Sequence, residues 1–305
     1  MRTIYRYIFS FAALAFSLTA GAQALPFVAV DYNPASLGKG GATYTDVSGV
    51  AYAAFNNPAA AAFYDGKLDV SAGYTMWQPS AVKTNVINAA GTFKLGDKFA
   101  LSAGFSTGKN PAYDEVDEIG NANGTFTPSQ MQLGAGFSWR FMKNVSVGAN
   151  VGYAKSSLAE EASYGTVVAD VQAMAVFGGL RASVGVSDLG GSITSVSGAK
   201  FSLPSAAKFG VGYSLNASEK HLVDVSADAG YYFSGGVAAA FGASYTFNDM
   251  VSVRAGYRYG GNTVLPSFAS VGVGVKLVGI KLDVAYVVSS SAMANTLGVS
   301  LGYAF

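Results

Sequence analysis

The 305-residue sequence contains no cysteine and only one histidine, and 12% of its residues are charged. Without cysteine, the chain has no disulfide framework, thiolate metal site or lipid-modified N-terminal cysteine. Hydrolytic chemistry needs a nucleophile with a base, or an acid with a base, held close together. The one histidine, His221, stands at the start of a predicted strand beside a short turn, where a solvent-exposed residue is the simplest interpretation. We therefore predict a protein that is not an enzyme and uses no metal or cofactor.

Patterns for nucleotide and nucleic-acid binding are also missing. The glycine cluster Gly38–Gly41 lacks the G-x-x-x-x-G-K-[ST] spacing that cradles phosphate. The pairs Gly134–Gly136 and Gly272–Gly274 lie within predicted strands, so they are not dinucleotide-binding turns. The formal net charge is +1 and there is no basic block, which argues against a nucleic-acid partner.

The N-terminus has the pattern of a secretory signal peptide over residues 1–22. Arg2 and Arg6 provide the positive start, residues 8–20 are apolar, and Ala20-Gly21-Ala22 is an A-x-A-like cleavage site. We predict an exported chain that begins at Gln23. A single N-terminal membrane anchor is the alternative, and the short apolar run followed by a cleavage site argues against it.

Long apolar runs are absent from the rest of the chain, although half of all residues are apolar. No later stretch approaches the roughly 18 consecutive apolar residues of a membrane helix. Instead, from Lys67 to Phe305, segments of about ten residues alternate between apolar and small-or-polar side chains and are separated by turns, which is typical of a transmembrane β-barrel. Such a sheet must close, because an open edge would leave unpaired N–H and C=O groups in hydrocarbon.

We predict an all-β fold, a 14-stranded antiparallel transmembrane outer-membrane β-barrel. A soluble β-sandwich also alternates, but glycine at nearly every second position of its solvent face would be unusual. The predicted strands cover residues 67–77, 84–95, 98–107, 129–141, 144–155, 163–177, 179–188, 204–215, 221–233, 236–247, 250–259, 266–277, 279–289 and 294–305.

Charge placement indicates which face meets lipid. A basic residue on the lipid side near the bilayer midplane costs roughly 2–4 kcal/mol, so charges belong on the lumen face. We expect these charges to pair across strands and hold a plug, or else to line a polar pore. The charged lumen residues predicted on the small-or-polar face are Asp69, Lys94, Arg140, Asp170, Arg181, Lys208, Asp224, Asp228, Arg254, Arg258, Lys276, Lys281 and Asp283.

Connection lengths predict the orientation. The turns after even-numbered strands are very short, whereas the other set contains the long segments 108–128 and 189–203. Short periplasmic turns and longer outer loops are usual for outer-membrane barrels. We therefore expect both termini on the periplasmic side of a bacterial outer membrane, with lipid around the barrel.

Residues 23–66 do not alternate, and we interpret them as an N-terminal plug or hatch that folds partly inside the barrel, the domain before the barrel at 67–305. A barrel of this size is wider than its own side chains fill easily. We expect short helical turns near Ala51–Phe55 and Pro58–Tyr64. The plug motif consists of Gly38, Gly40, Gly41, Asn57 and Pro58.

With a barrel predicted, several stretches resemble the PorV/PorQ family of Bacteroidetes outer-membrane proteins, which are themselves similar to the FadL long-chain fatty acid transporters. The order of these short, glycine-rich motifs carries more weight than any one of them, and together they span essentially the whole exported chain. They are Leu25-Pro26-Phe27, Gly38-x-Gly40-Gly41-Ala42, Asn56-Asn57-Pro58-Ala59, Tyr74-Thr75-Met76-Trp77, Val186-Ser187-Asp188-Leu189-Gly190, Leu203-Pro204-Ser205, Lys208-Phe209-Gly210, Val253-Arg254-Ala255-Gly256-Tyr257, Leu282-Asp283-Val284-Ala285-Tyr286 and Ala294-Asn295-Thr296-Leu297.

This resemblance implies a 14-stranded FadL-like barrel with a role in type IX protein secretion. Family members bind the C-terminal signal domains of secreted cargo proteins, so the partners would be that cargo and other secretion components, contacted through the outer loops at 108–128 and 189–203 and the barrel rim. The outer loops are shorter than those of the family's type member. The alternative is a FadL-like channel that transports hydrophobic small molecules, with the N-terminal hatch as its gate.

Overall fold

The computed structural model describes residues 23–116, 122–160, 162–195, 198–261, 263, 265–289 and 293–305. The predicted signal peptide at 1–22 therefore lies outside the described residues. Within the described ranges, no helix combines the length and apolar character needed to cross a membrane.

Fourteen antiparallel strands form a closed barrel, which confirms the predicted fold class. The first and last strands pair from Asp69↔Ala304 to Met76↔Leu297, so the sheet has no free edge. The barrel strands are β1 Leu68–Trp77, β2 Thr84–Leu95, β3 Phe99–Lys109, β4 Ser129–Met142, β5 Val145–Ala159, β6 Ala162–Phe177, β7 Leu180–Gly190, β8 Ala206–Ser218, β9 His221–Tyr232, β10 Val237–Phe247, β11 Val251–Tyr259, β12 Phe268–Leu277, β13 Ile280–Ser289 and β14 Leu297–Ala304.

The two ends of the barrel differ in their connections. The short-turn end carries tight turns such as those between β2 and β3 and between β12 and β13. The long-loop end carries the two long connections, and each contains a small hairpin: Tyr113–Val116 with Ala122–Phe126, and Ile193–Thr194 with Lys200–Phe201. The strands follow the predicted limits closely, and the largest extension is at β5, which continues to Ala159.

Alternation along each strand separates the two faces of the wall. In β4, Leu133 and Phe137 are exposed on the outside, whereas Gln132 and Ser138 are buried on the inside. Successive side chains of a strand point to opposite faces, so one strand supplies both surfaces. The outside of the barrel is an apolar belt, and the inside is lined by small and polar groups.

Residues 23–66 run through the lumen, and we refer to them as the plug. The plug contains a 3₁₀ helix, Pro26–Ala29, and two short helices, α1 Pro34–Gly38 and α2 Pro58–Ala61. Asn33 and Asn57 cap α1 and α2, because each side-chain oxygen accepts a backbone N–H two residues later at 3.0 Å. Residues 51–55 form hydrogen-bonded turns. Helix α1 was not predicted from the sequence.

The plug crosses the barrel from end to end. Gln23 forms a bridge with Ser202 at the long-loop end, whereas the backbone of Phe305 pairs with that of Leu68 at the short-turn end. The expectation that both termini lie on one side is therefore not met by Gln23, the predicted first residue of the exported chain. The reason is that the plug traverses the lumen once before β1 begins.

Candidate functional site

An ion cluster joins the plug to the wall near the short-turn end. The ammonium group of Lys39, in the plug, lies 2.8 Å from Asp224 on β9 and 3.0 Å from Asp46 in the plug. Arg181 on β7 also bonds Asp224. Burial alone lowers the pKa of Lys39, but the carboxylates of Asp46 and Asp224 outweigh it, so the pKa lies above its usual value. Lys39 is therefore a buried cation held by two carboxylates.

A second contact between plug and wall is centred on Asp69 of β1, which is fully buried. One of its carboxylate oxygens accepts the backbone N–H groups of Val50 and Ala51 at 2.9 and 3.2 Å. The other oxygen bonds Lys281 of β13. Asp69 thus fixes the turn of the plug that begins at Val50.

The other predicted lumen charges lie on the inner side of the wall, and most contact the plug or one another. Lys155, which is not one of the predicted lumen charges, is instead exposed on the outer face of β5, close to the long-loop end. The remaining contacts are Lys94 to the Tyr64 carbonyl, Arg140 over the Phe63 ring at 5.7 Å, Asp170 to Asn150 at 2.8 Å and to the Asp188 N–H at 2.7 Å, Lys208 to Asp188 at 3.7 Å, Arg254 to Asp283 at 2.6 Å, Lys276 to Asp249 at 2.8 Å, Arg258 to the Tyr232 hydroxyl at 3.4 Å, and Asp228 to the Tyr44 N–H at 2.9 Å.

The plug motif lies against glycines of the wall. A Cβ at Gly38 would stand 2.9 Å from the backbone of Gly272, and one at Gly40 would stand 2.6 Å from the backbone of Tyr257. Gly40 and Gly41 also have positive φ angles of 68° and 81°, which favour glycine. Larger side chains have no room where this part of the plug packs against the inner face of the wall.

The Asn57-Pro58 pair of the motif anchors α2. The Asn57 amide donates to the Tyr44 carbonyl at 2.7 Å and to the Ser183 hydroxyl at 2.8 Å. Pro58 occupies the first position of the helix, where its missing N–H costs nothing. One side chain therefore connects two turns of the plug with β7.

Among the described residues, two cavities that lie between plug and wall bear on function. The larger, the vestibule, has a volume of about 290 Å³, and its lining includes the Lys39 ion cluster and residues of the short-turn end such as Lys276 and Asp249. Its wall is mostly polar and charged. A hydrophobic molecule would gain little there, because a polar wall offers little apolar surface against which the molecule could bury its own.

The smaller space, the loop-side cavity, has a volume of about 80 Å³ and lies toward the long-loop end. Leu37, Trp77, Leu265 and Phe268 form one side of its lining. They belong to a buried apolar cluster that also includes Tyr32, Val86, Ala285, Val287 and Met293. The other lining residues include Asp31, Tyr44, Lys208, Asp228, Tyr232 and Arg258. The cavity is thus amphipathic.

Tyrosines of the plug serve as protonated donors or acceptors inside the barrel. Burial raises the pKa of Tyr52 to about 12, and its hydroxyl donates to Asn88 at 2.6 Å. Burial also raises the pKa of Tyr32 above its usual value, and its hydroxyl accepts from Gln130 at 3.1 Å. Both rings stay neutral and polar at physiological pH.

Several residues of the site were not predicted from the sequence. Lys39 and Asp46 lie in the irregular plug, and Asp31 and Tyr44 reach the cavity only because of the path of the plug. The Asn-Pro pair at Asn33-Pro34 is a helix-start signal that would have located α1. In the described part of the chain, no group of three or more His, Cys, Asp or Glu side chains is arranged to hold a metal ion.

Comparison with known proteins identifies a shared architecture. No protein-family model matches the sequence, and no curated protein is similar to it in sequence. Among solved structures, the toluene transporter TbuX of Ralstonia pickettii is 12% identical with a TM-score of 0.59, and the match covers 90% of this chain and 97% of that chain. A FadL homologue of Pseudomonas aeruginosa is 13% identical with a TM-score of 0.54, covering 89% and 98%.

The monoaromatic hydrocarbon channel CymD has a TM-score of 0.60 at 13% identity, and the match covers 95% of this chain and 98% of that chain. At these identities the similarity establishes the fold alone. The chain has the architecture of a FadL-type barrel over nearly its whole described length.

Proposed function

We propose that this protein is an outer-membrane channel for hydrophobic small molecules, with the plug as its hatch and the long-loop end facing outward. This is the alternative to the secretion role that the PorV/PorQ resemblance implied. The solved structures with the same fold carry the names of toluene transporters, a monoaromatic hydrocarbon channel and a FadL homologue. None of these names refers to secretion, so binding of secreted cargo stays an untested prediction.

The observation that carries the proposal is the loop-side cavity between plug and wall. Its apolar side continues into the buried cluster around Trp77 and Phe268, so an apolar molecule entering from the long-loop end meets apolar surface. The vestibule beyond it is polar. Plug residues line both spaces, which is where a hatch would have to lie.

The outer surface supports the membrane location. Outward side chains such as Leu301, Phe241 and Val151 are about 60% exposed, and a soluble barrel would present polar groups there. The inner wall carries the charges instead. Lipid contact on the outside explains both faces together.

Uptake of labelled toluene by intact Gram-negative cells tests the proposal, because their lipopolysaccharide layer slows passive entry. We expect cells that make this protein to take up toluene faster than cells without it. The variant Ala240→Phe fills the loop-side cavity, since Ala240 is 2% exposed and lines it, and uptake should fall to the level of cells without the protein.

Ala243→Phe is the matched control, since Ala243 lies on the same strand but faces outward. It should leave uptake unchanged at equal amounts of folded barrel. Equal uptake with and without the protein would overturn the proposal. Deletion in the native host should leave cargo with C-terminal signals secreted normally, whereas lost secretion with unchanged uptake would favour the secretion role.

A further inference from the structure

Two lysines lie on the outer face of the wall, where the other charged residues of the barrel do not. Lys109 is the last residue of β3 and Lys155 is in β5, and both are exposed and in step with the lipid-facing side chains Phe105 and Tyr153. In the barrel strands as described, every other Asp, Glu, Lys or Arg lies on the inner side. The outward charges of these strands are therefore both positive and both near the long-loop end.

The strand register places the two lysines close together. Lys109 pairs with Ser129 on β4, and Ser129 pairs with Ser157 on β5, two residues beyond Lys155. Two strand spacings separate the backbones of β3 and β5, roughly 10 Å. Lysine side chains are long and flexible, so both ammonium groups can reach one anion that lies over β4.

Neither lysine is neutralised by a carboxylate in the part of the chain that the structure describes. The ion pairs there all involve other residues. Asp114, Glu115 and Glu160 come after the ends of β3 and β5, so they lie farther from the apolar belt. Two like charges at close range repel each other, and an anion between them would remove that repulsion.

Hydroxyl groups accompany the lysines on the same face. Ser157 and Ser163 pair across β5 and β6, and their side-chain oxygens lie 3.0 Å apart. The Tyr153 hydroxyl lies against Gly165, the residue that pairs with Lys155, since a Cβ at Gly165 would overlap that hydroxyl. Hydroxyl and ammonium groups are the donors that phosphate oxygens accept from. We refer to Lys109, Ser129, Lys155, Ser157 and Ser163 as the polar band.

The wall next to the polar band, on the side of the short-turn end, is apolar. Phe105, Leu133 and Val167 are exposed there, and they form one row of the register with Tyr153. An amphiphile with its anionic head at the polar band would lay its acyl chains on this row. A free inorganic anion would gain nothing from the apolar row.

We propose that the outer face of β3–β6 binds a phosphorylated lipid of the membrane leaflet at the long-loop end. Its phosphate lies between Lys109 and Lys155, and its acyl chains lie over Phe105, Leu133 and Val167. A phosphate group offers several acceptor oxygens and a charge that two ammonium groups can share. The site is on the outside of the barrel, so it goes beyond the channel function and does not depend on it.

Native mass spectrometry of the purified protein, released from a neutral detergent, counts the lipid molecules that stay bound. Phosphatidic acid is the probe, and phosphatidylcholine with the same acyl chains is the matched lipid without net charge. Each lysine near an anionic lipid headgroup contributes about a fivefold factor in affinity. We therefore expect phosphatidic acid to bind about 25-fold more tightly than phosphatidylcholine.

Inorganic phosphate at the same concentration should leave bound phosphatidic acid in place, because the acyl chains contribute to binding. Equal affinities of the two lipids would overturn the proposal. Displacement by inorganic phosphate would also overturn it, since the site would then be a phosphate site without a lipid.

The double variant Lys109→Met and Lys155→Met tests the named residues. It should bind phosphatidic acid about 25-fold more weakly, while Lys109→Arg with Lys155→Arg should keep the affinity because the charges remain. Lys98→Met with Lys143→Met is the matched control, because it removes two exposed lysines at the short-turn end, and its affinity should stay unchanged.

Equal losses in the two methionine variants would mean that net charge alone attracts the lipid, and the proposal would fail. A loss in the arginine variant as large as that in the methionine variant would likewise refute a role of the two charges. The heat-dependent shift of the folded barrel on a gel confirms that each variant is folded.

Discussion

The ammonium group of Lys39 lies 2.8 Å from the carboxylate of Asp224, and this ion pair links residues 185 positions apart in the sequence. Lys39 belongs to the plug and is 2% exposed, while Asp224 belongs to the wall and also contacts Arg181. Two buried cations therefore share one carboxylate. The position of the plug depends on this arrangement, because a buried charge without a partner is strongly unfavourable.

Lys39→Met should loosen the plug. The variant leaves Asp46 without its cationic partner, and removing one partner of a buried ion pair costs about 3–5 kcal/mol. We expect the free energy of unfolding in urea to fall by that amount in lipid vesicles. Planar-bilayer conductance should rise, because water and ions can pass a displaced plug.

Lys276→Met is the matched control for this prediction. Its ion pair with Asp249 lies at the short-turn end, with the two side chains 42% and 80% exposed, and such surface pairs contribute about 0–1 kcal/mol. Similar losses in both variants would mean that the Lys39 pair does not hold the plug.

Gly256→Ala should displace the plug by a different route. A Cβ at Gly256 would overlap the backbone of Lys39 and Gly40, and overpacking typically costs about 1–3 kcal/mol. Gly230→Ala is a control on the same inner surface, where the nearest atom would lie 3.7 Å away. Urea unfolding should separate the two variants, and equal stabilities would contradict the close approach of plug and wall.

The barrel was predictable because its signal is local. Alternation of period two, seen in Leu133 and Phe137 against Gln132 and Ser138, depends only on neighbouring residues in one strand. The same alternation determines whether each charged side chain lies on the inner or the outer face of the wall. Lys155 shows the limit of that rule, since a long side chain near a strand end can reach the polar interface.

The path of the plug was not predictable from the same signals. Its contacts, such as Lys39 with Asp224 or Val50 with Asp69, join residues far apart in sequence and have no periodic pattern. The loop-side cavity is built from both plug and wall residues, so it exists only once the plug is placed. The prediction that Gln23 lies at the same end of the barrel as Phe305 failed for this reason. Connection lengths indicate how the strands are oriented, but they say nothing about the path of the segment before the first strand.

Asp31 should make the stability depend on acid pH. Burial raises the pKa of its carboxyl above the usual value of 3.8, although hydrogen bonds with Ser36 and Asn33 and the charge of Lys208 oppose this. Between 3.8 and the raised pKa the folded state binds more protons than the unfolded state, so this group's contribution rises as the pH falls. Above the raised pKa, the buried, ionised carboxylate lowers the free energy of unfolding by an amount that no longer changes with pH.

Asp31→Asn removes that penalty and keeps an acceptor for the Asn33 N–H. The variant should be more stable than the unsubstituted protein at pH 7, and the difference should disappear below pH 3.8, where the carboxyl is protonated in both states. Urea unfolding at a series of pH values measures it. A difference that stays constant with pH would show that the Asp31 charge is not the cause.

Outward substitutions in β13 test whether the wall meets lipid. Val284 and Val288 lie on the same outer face, Val284 near the middle of the strand and Val288 near the long-loop end. An arginine at the bilayer midplane costs about 2–4 kcal/mol, and one near the interface costs about 0–1 kcal/mol. Val284→Arg should therefore lower the free energy of unfolding in vesicles much more than Val288→Arg. In water both side chains would be solvated at little cost, so equal small effects would mean that the apolar belt does not lie in a membrane.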